Sequence, residues 1–267
     1  MKILNISNHQ LYIFIIFLLR DLKVYSARFK RYLINYTLFF PILFALCFGY
    51  MLPQLSPLSH ILKNGTIFLG SILVVLFPMS FNMLIDILID LEQERFTDYQ
   101  ITKLNPLLFI IEKVLFCSSV IFIFLLPFLP ITKAFLGNQL DLNAIQILPT
   151  IAMLYASSLI ATSFTMMAIC LLKDSSQSRK FWRRCNIPLM ITGGFLAPYE
   201  IMSKVSPVLR TLTIFNPMLY VTEGLRSAVL NDAQFISYKI CIPVIFIYSC
   251  IFIVLANKFL KKKMDYV

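Results

Sequence analysis

The stretch IFLGSILVVLFPMSFNMLID, residues 67–86, runs nineteen residues before its first charge, Asp86. A helix of about 20 mostly apolar residues crosses roughly 30 Å of hydrocarbon, so this stretch reads as a membrane span. Five more runs, 32–52, 107–129, 145–172, 181–197 and 240–258, have comparable length and composition. The whole chain is 59% hydrophobic and 14% charged, and its mean hydropathy is +0.80. Soluble domains carry about 25% charged residues. The sequence therefore predicts an all-α polytopic membrane protein with six transmembrane helices.

The connectors alternate in charge. With residues 1–31 on the inner side, the inner segments hold eighteen of the 24 Lys and Arg residues, among them Arg20, Lys23, Lys103, Arg179, Arg183 and Lys261. The outer segments hold six: Lys63, Lys133, Lys204, Arg210, Arg226 and Lys239. This positive-inside bias places both termini in the cytoplasm. The formal net charge of +11 raises the question of nucleic acid, but the basic residues sit beside span ends. There they set topology and meet anionic lipid headgroups. The partner surface is membrane lipid, and no nucleic acid is expected. Six cysteines lie in or beside the spans without a CxxC pair, and His9 and His60 stand apart. The cysteines read as buried small hydrophobes, and no metal site is expected.

Residues 1–31 continue through RDLKVYSARFKRY (20–32), where Leu22, Tyr25 and Phe29 fall at helical spacing among basic residues. That pattern predicts an amphipathic helix in the cytoplasmic headgroup layer, either a plain anchor or an elbow that also touches a partner. Residues 32–267 form the six-span body. Asp86 and Asp90, four apart, end the second span in reach of headgroup water, which favours a solvated role over a proton site. The following segment, IDLEQERFTDYQITKLNPL (89–107), is the only acidic cytoplasmic connector. Asp90, Glu92, Glu94 and Asp98 suit the first turns of a helix over about 90–105, and Asn105-Pro106 closes it. The fourth run carries Ala156, Ser157, Ser158, Ala161, Thr162 and Ser163, small faces on which helices approach closely. The fifth is short and interrupted by Pro188 and Gly193-Gly194. Residues 198–231 are too polar to span and too apolar for an ordinary loop. They read as two short amphipathic helices joined at Asn216-Pro217, re-entering the outer leaflet, with Glu223 and Arg226 forming a half-buried polar clasp.

No GxxxxGK[ST], GxSxG or HExxH pattern occurs, and no nucleophile stands beside a base. These absences point away from an enzyme.

Two motifs carry a resemblance. GGFLAPYE (193–200) followed by SPVLRTLTIFNPMLYVTEGLRSAVL (206–230) is similar to the C-terminal signature of type-2 ATP-binding-cassette export permeases. Asn216, Pro217, Tyr220, Glu223 and Arg226 match its form N-P-x-x-Y-x-x-E-x-x-R. The acidic connector resembles the family's coupling helix, E-x-E-x-G-T, through Glu92, Glu94, Thr97 and Pro106, with Phe96 where Gly is usual and Asn105 in place of Ser or Thr. The resemblance covers the whole chain. It implies a permease subunit in the bacterial cytoplasmic (inner) membrane, exporting a hydrophobic, lipid-linked or polysaccharide substrate. It also implies two cytoplasmic ABC ATPase subunits that bind ATP and Mg, no cofactor on this chain, and a second permease chain, identical or related. Glu92, Glu94, Arg95 and Thr97 would contact the ATPase, and Asn216, Pro217, Tyr220, Glu223 and Arg226 would shape an outer gate. The rival is an ion-coupled secondary transporter, which needs ionisable residues at mid-bilayer and often two similar halves. The span centres are nearly free of charge and no internal repeat is evident.

The topology has a direct test. Single cysteines at Ser203 and Ser176 on an otherwise cysteine-free chain are expected to label from opposite sides of the membrane; labelling from one side would overturn the topology.

Overall fold

A computed structural model describes residues 8–51, 66–92, 105–137, 142 and 144–264. The described residues are overwhelmingly helical, and no strand occurs among them. The first helix, α1 (Asn8–Tyr32), passes without a break into π-helical Leu33–Phe39, α2 (Phe40–Phe44) and π-helical Ala45–Met51. After it come α3 (Thr66–Gly70), α4 (Ile72–Glu92), α5 (Pro106–Leu125), α6 (Phe128–Leu136), α7 (Ile147–Leu171), α8 (Ser176–Phe181) and α9 (Ile187–Thr192). The chain ends with α10 (Tyr199–Val205), α11 (Pro207–Phe215), α12 (Pro217–Leu230) and α13 (Tyr238–Met264).

Four helical runs among the described residues are long and apolar enough to cross a membrane: Thr66–Glu92, Pro106–Leu136, Ile147–Leu171 and Tyr238–Lys263. They correspond to the second, third, fourth and sixth predicted spans, with shifted ends. The third reaches Leu136, so the expected outer loop from residue 131 begins as helix: a turn at Leu126-Pro127 separates α5 from α6, and Pro130 sits in the first turn of α6, where it loses no needed donor. The first and fifth predicted spans are also helical. In the first the helix runs through Met51, with an apolar stretch over Leu33–Cys47 among the described residues. In the fifth it runs from Ser176 to Thr192 and stops at Gly193-Gly194.

α7 is the centre of the bundle. In its most apolar stretch 83% of residues are buried, against 22% for the last span. It packs on α13, α5, α4 and α12. The reason is its small faces: Ala156, Ser157, Ser158, Ala161, Thr162 and Ser163 are all buried. Their hydroxyls are satisfied within the helix, as in Ser157 Oγ to Met153 O (2.6 Å) and Ser163 Oγ to Leu159 O (2.7 Å), so neighbours approach without stranding a polar group. Ser80 Oγ of α4 and Thr165 Oγ1 of α7 also share a hydrogen bond between the helices at 2.8 Å. The cysteines divide: Cys117, Cys170 and Cys241 are buried as expected, whereas Cys185 and Cys250 are exposed and Cys47 is intermediate. Exposed positions on membrane helices suit an apolar thiol equally well, which is why position beside a span did not determine burial.

Between residues 198 and 231 the structure has three helices where two were expected. Ser206-Pro207 makes the additional break: Ser206 is extended, and its Oγ accepts from Val208 N (3.2 Å) as the cap of α11. α12 is not amphipathic in its setting, since Pro217–Met218–Leu219 and Val221–Val229 are all buried. It lies so close to α7 and α13 that a Cβ on Gly224 would come within 2.9 Å of Cys241 Cβ and of Met153 Sδ. Gly224→Leu is therefore expected to lower stability by about 1–3 kcal/mol through overpacking, read as an earlier thermal unfolding of the detergent-solubilised protein, whereas Val208→Leu on exposed α11 leaves it unchanged.

Candidate functional site

Polar groups gather at both ends of this bundle. At one end the Glu223–Arg226 pair of α12 is fully buried, each side chain at 0% exposure, with Arg226 Nη1 3.1 Å from Glu223 Oε1. The expectation of a half-buried clasp is thus corrected: α3, α10, the Gly193-Gly194 turn and the entry to α13 enclose it. Arg226 also donates through Nε to Thr66 O (2.9 Å) and through Nη2 to Gly194 O (2.6 Å). Glu223 accepts from the backbone N–H of Tyr199 (3.0 Å) and of Ile236 (3.3 Å). Four separate segments are therefore held by one ion pair. Buried charges persist only when paired and hydrogen-bonded, and these two are.

The approach needs glycine. Gly194 has φ +83° and presents its carbonyl to Arg226, and a Cβ there would meet Thr222 Oγ1 at 2.5 Å. A Cβ on Gly70 would collide with Phe195 O and come within 2.6 Å of Arg226 Nη2. Asn216 completes the joint: its Oδ1 caps α12 by accepting from Met218 N (2.9 Å), while Nδ2 donates to Leu189 O (2.7 Å) and Thr192 Oγ1 (2.8 Å). Pro217 occupies the first helical position, where its missing N–H costs nothing. Tyr220 donates its hydroxyl to Ile214 O (2.9 Å), closing α11 onto α12. All five residues of the signature sit within this joint.

At the opposite end, Asp90 and Glu92 lie in α4, whose apolar face carries the helix past Asp86. Glu92 Oε2 accepts from Ser175 N (3.0 Å), tying the start of the connector to the turn after α7. Glu94, Arg95 and Thr97, with residues 93–104, lie outside the described residues. Asn105, expected to end the connector, caps α5 by accepting from Leu107 N (3.0 Å). In the turn, the hydroxyl of Ser176 (2.5 Å) and the backbone and side chain of Gln177 donate to Asp174 and hold its carboxyl below the usual carboxylate range.

Sequence reasoning missed a second buried cluster at this end. Lys113 of α5 forms an ion pair with Asp21 of α1 and lies 3.5 Å from Glu112 Oε2. Glu112 is 0% exposed and neither of its carboxylate oxygens has a hydrogen-bond partner. A cavity of about 380 Å³ beside them is lined by Arg20, Asp21, Tyr25, Asp86, Asp90 and Lys113, among others. The signal was present: Glu112 and Lys113 are the only charges between residues 106 and 132, and Asp21 is the only acid in the first 85 residues.

The arrangement is that of a helical, multi-pass membrane protein with structured polar joints at both ends of its bundle and no catalytic constellation among the described residues. Residues 13–230 match the family model described as ABC-2 type transporter. The chain belongs to this family of ABC transporter permease subunits, whose members are permease domains without catalytic activity of their own and normally partner with ATP-binding subunits. No curated protein and no solved structure matches the chain.

Full burial of the clasp sets its magnitude. Arg226→Ala or Glu223→Ala leaves an uncompensated buried charge and is expected to cost about 3–5 kcal/mol. The double variant should lose clearly less than the sum of the two, the mark of direct coupling. Chemical or thermal unfolding of the four variants in detergent measures the cycle, and additive losses would show that the pair does not interact.

Proposed function

We propose that the chain is the membrane subunit of an ATP-driven exporter, moving a hydrophobic, lipid-linked or polysaccharide substrate outward across a bacterial cytoplasmic membrane. ATP and Mg are bound by two separate ATPase subunits, and two permease chains frame the pathway. The observation that carries this reading is the family match over residues 13–230. In this proposal the helical runs at 33–51 and 176–192 complete six spans with the four longer ones. Both termini and residues 90–105 face the cytoplasm, and residues 198–231 face outward. Glu92, Glu94, Arg95 and Thr97 receive the ATPase's motion. The bond from Ser175 N to Glu92 supports a path from that contact to the end of α7.

The outer element divides by burial. α12 is locked by the clasp, whereas α10 and α11 expose Val205 at 71%, Val208 at 66% and Phe215 at 71%. We assign gating to α10–α11 and the fixed frame to α12, with Asn216-Pro217 as the hinge. A static plug of the outer leaflet is the plainer role for the same element.

An ion-coupled carrier is the second reading, and Asp21, Glu112 and Lys113 are the observation that favours it. Lys113 lies only about 10 Å along the helix from Pro106 at 1.5 Å per residue, near one end and away from the midplane that such carriers use.

The coupling claim predicts that Glu94→Lys abolishes co-purification of the ATPase or uncouples its turnover from transport, while the permease still inserts. A reversed charge in such a contact costs several kcal/mol. Full transport with unchanged co-purification would reduce the connector to a loop. Transport that persists without the ATPase and collapses with the ion gradient would replace the exporter with a carrier.

A further inference from the structure

We propose that the groove formed by Ser176, Arg179, Lys180, Trp182 and Arg183 binds the phosphate of an anionic lipid headgroup. The inference rests on the proposed topology, which sets this turn at the inner leaflet. The groove is open and holds about 550 Å³. Three cations line it, and no acid does among the described residues. None of the three makes an ion pair with a described residue. Asp174, the nearest acid in sequence, is turned into bonds with Ser176 and Gln177. Guanidinium groups with planar donor forks match phosphate oxygens better than any other group on offer at a membrane surface.

Two features select a lipid over a free anion. Trp182 forms one wall and is held edge-on against Phe81 of α4, with ring centroids 6.1 Å apart. An indole pinned to an apolar helix marks the depth at which headgroups lie. Below it, Ile187 and Ile191 follow Arg183 at one-turn intervals along the helical run and are 41% and 48% exposed. That apolar stripe leads from the cations toward the hydrocarbon, where an acyl chain continues from its phosphate.

The only tryptophan in the chain is Trp182, so its fluorescence reports this groove alone. In phosphatidylcholine nanodiscs of the full chain, brominated phosphatidylglycerol is expected to quench Trp182 more strongly than brominated phosphatidylcholine at equal mole fraction. A basic residue near the surface contributes about 1 kcal/mol, so each cation engaged gives a preference on the order of fivefold. The preference is expected to fall steeply in R179Q/R183Q, which leaves only Lys180 of the three cations, and to survive in R179K/R183K, which keeps the charge. Equal quenching by the two lipids in the native chain would overturn the proposal, as would a preference unchanged in R179Q/R183Q. A saturable shift of Trp182 emission by inorganic phosphate, with no preference between the lipids, would reassign the groove to a free anion and also overturn it. The measurement needs neither ATPase nor transport, so it stands or falls separately from the export reading. Labelling at Ser176→Cys reports the topology on which it depends.

Discussion

Burying a carboxylate and a guanidinium together is tolerable only when every donor and acceptor finds a partner, and that demand organises one end of this protein. Glu223 and Arg226 reach Thr66, Gly194, Tyr199 and Ile236, so the starts or ends of four helical segments are placed by one pair. An apolar substitute could fill the same volume, but it would not specify which backbone groups must converge. The pair's value here is positional: it fixes the register of α12 against α3, α9 and α13, and stability is secondary. Gly70 and Gly194 follow from it, since backbone must come within hydrogen-bond reach of a side chain that no Cβ can crowd.

The opposite end follows different physics. Asp21, Glu112 and Lys113 are also buried, but Glu112 has no hydrogen bond for either oxygen, and the cluster borders a cavity. A charge cluster satisfied this incompletely defines a geometry less sharply than the clasp does. α1 nevertheless docks with more than charge: on α5 the ring of Tyr25 lies tilted 5.3 Å from that of Phe116 and Phe29 5.0 Å from Phe124, and on α4 Tyr25 donates to Met83 O at 2.6 Å. Aromatic packing thus holds the helix in place, and the ions set where along α5 it stops.

The sequence made the helical membrane class legible because twenty-residue apolar runs have no other common use. It also made the signature residues legible, since Asn216-Pro217 is both cap and first helical turn, and Glu223 and Arg226 lie on one face. What it hid depended on neighbours distant in the chain. The clasp reads as half-buried from local spacing, whereas Thr66 reaches Arg226 from 160 residues away and Ile236 reaches Glu223 from 13. The break at Ser206-Pro207 was written in the residues, a serine cap before a proline, and was overlooked beside the stronger Asn216-Pro217. Asp90 and Glu92 looked like a helix start on dipole grounds, but the apolar face of α4 carries the helix through them. Tertiary burial outweighs a few tenths of a kcal/mol of dipole energy. Lys113, counted as a topology signal, is a buried partner of Asp21, a pairing across 92 residues that no local pattern encodes.

These two ends differ in a way that bears on the proposed export cycle. A permease driven from the cytoplasm needs a receiving end that can be displaced and a far end that converts displacement into a defined opening. Glu92 meets the turn after α7 through a single exposed bond to a backbone N–H, a contact that opens at little cost. α7, central and almost fully buried, connects that turn to α12 and so to the clasp. In the proposed cycle, motion entering near Ser175 would travel along this packed helix to the joint held by the clasp. The yielding element at that end is the exposed stretch of α10 and α11 between two ties to the rigid α12, the Tyr199 N–H bond to Glu223 at the start of α10 and Asn216-Pro217 with the Tyr220 bond to Ile214 at the end of α11. On this argument the conformational freedom of the outer end lies before Asn216, and the signature residues after it serve as the fixed bearing against which that freedom is used.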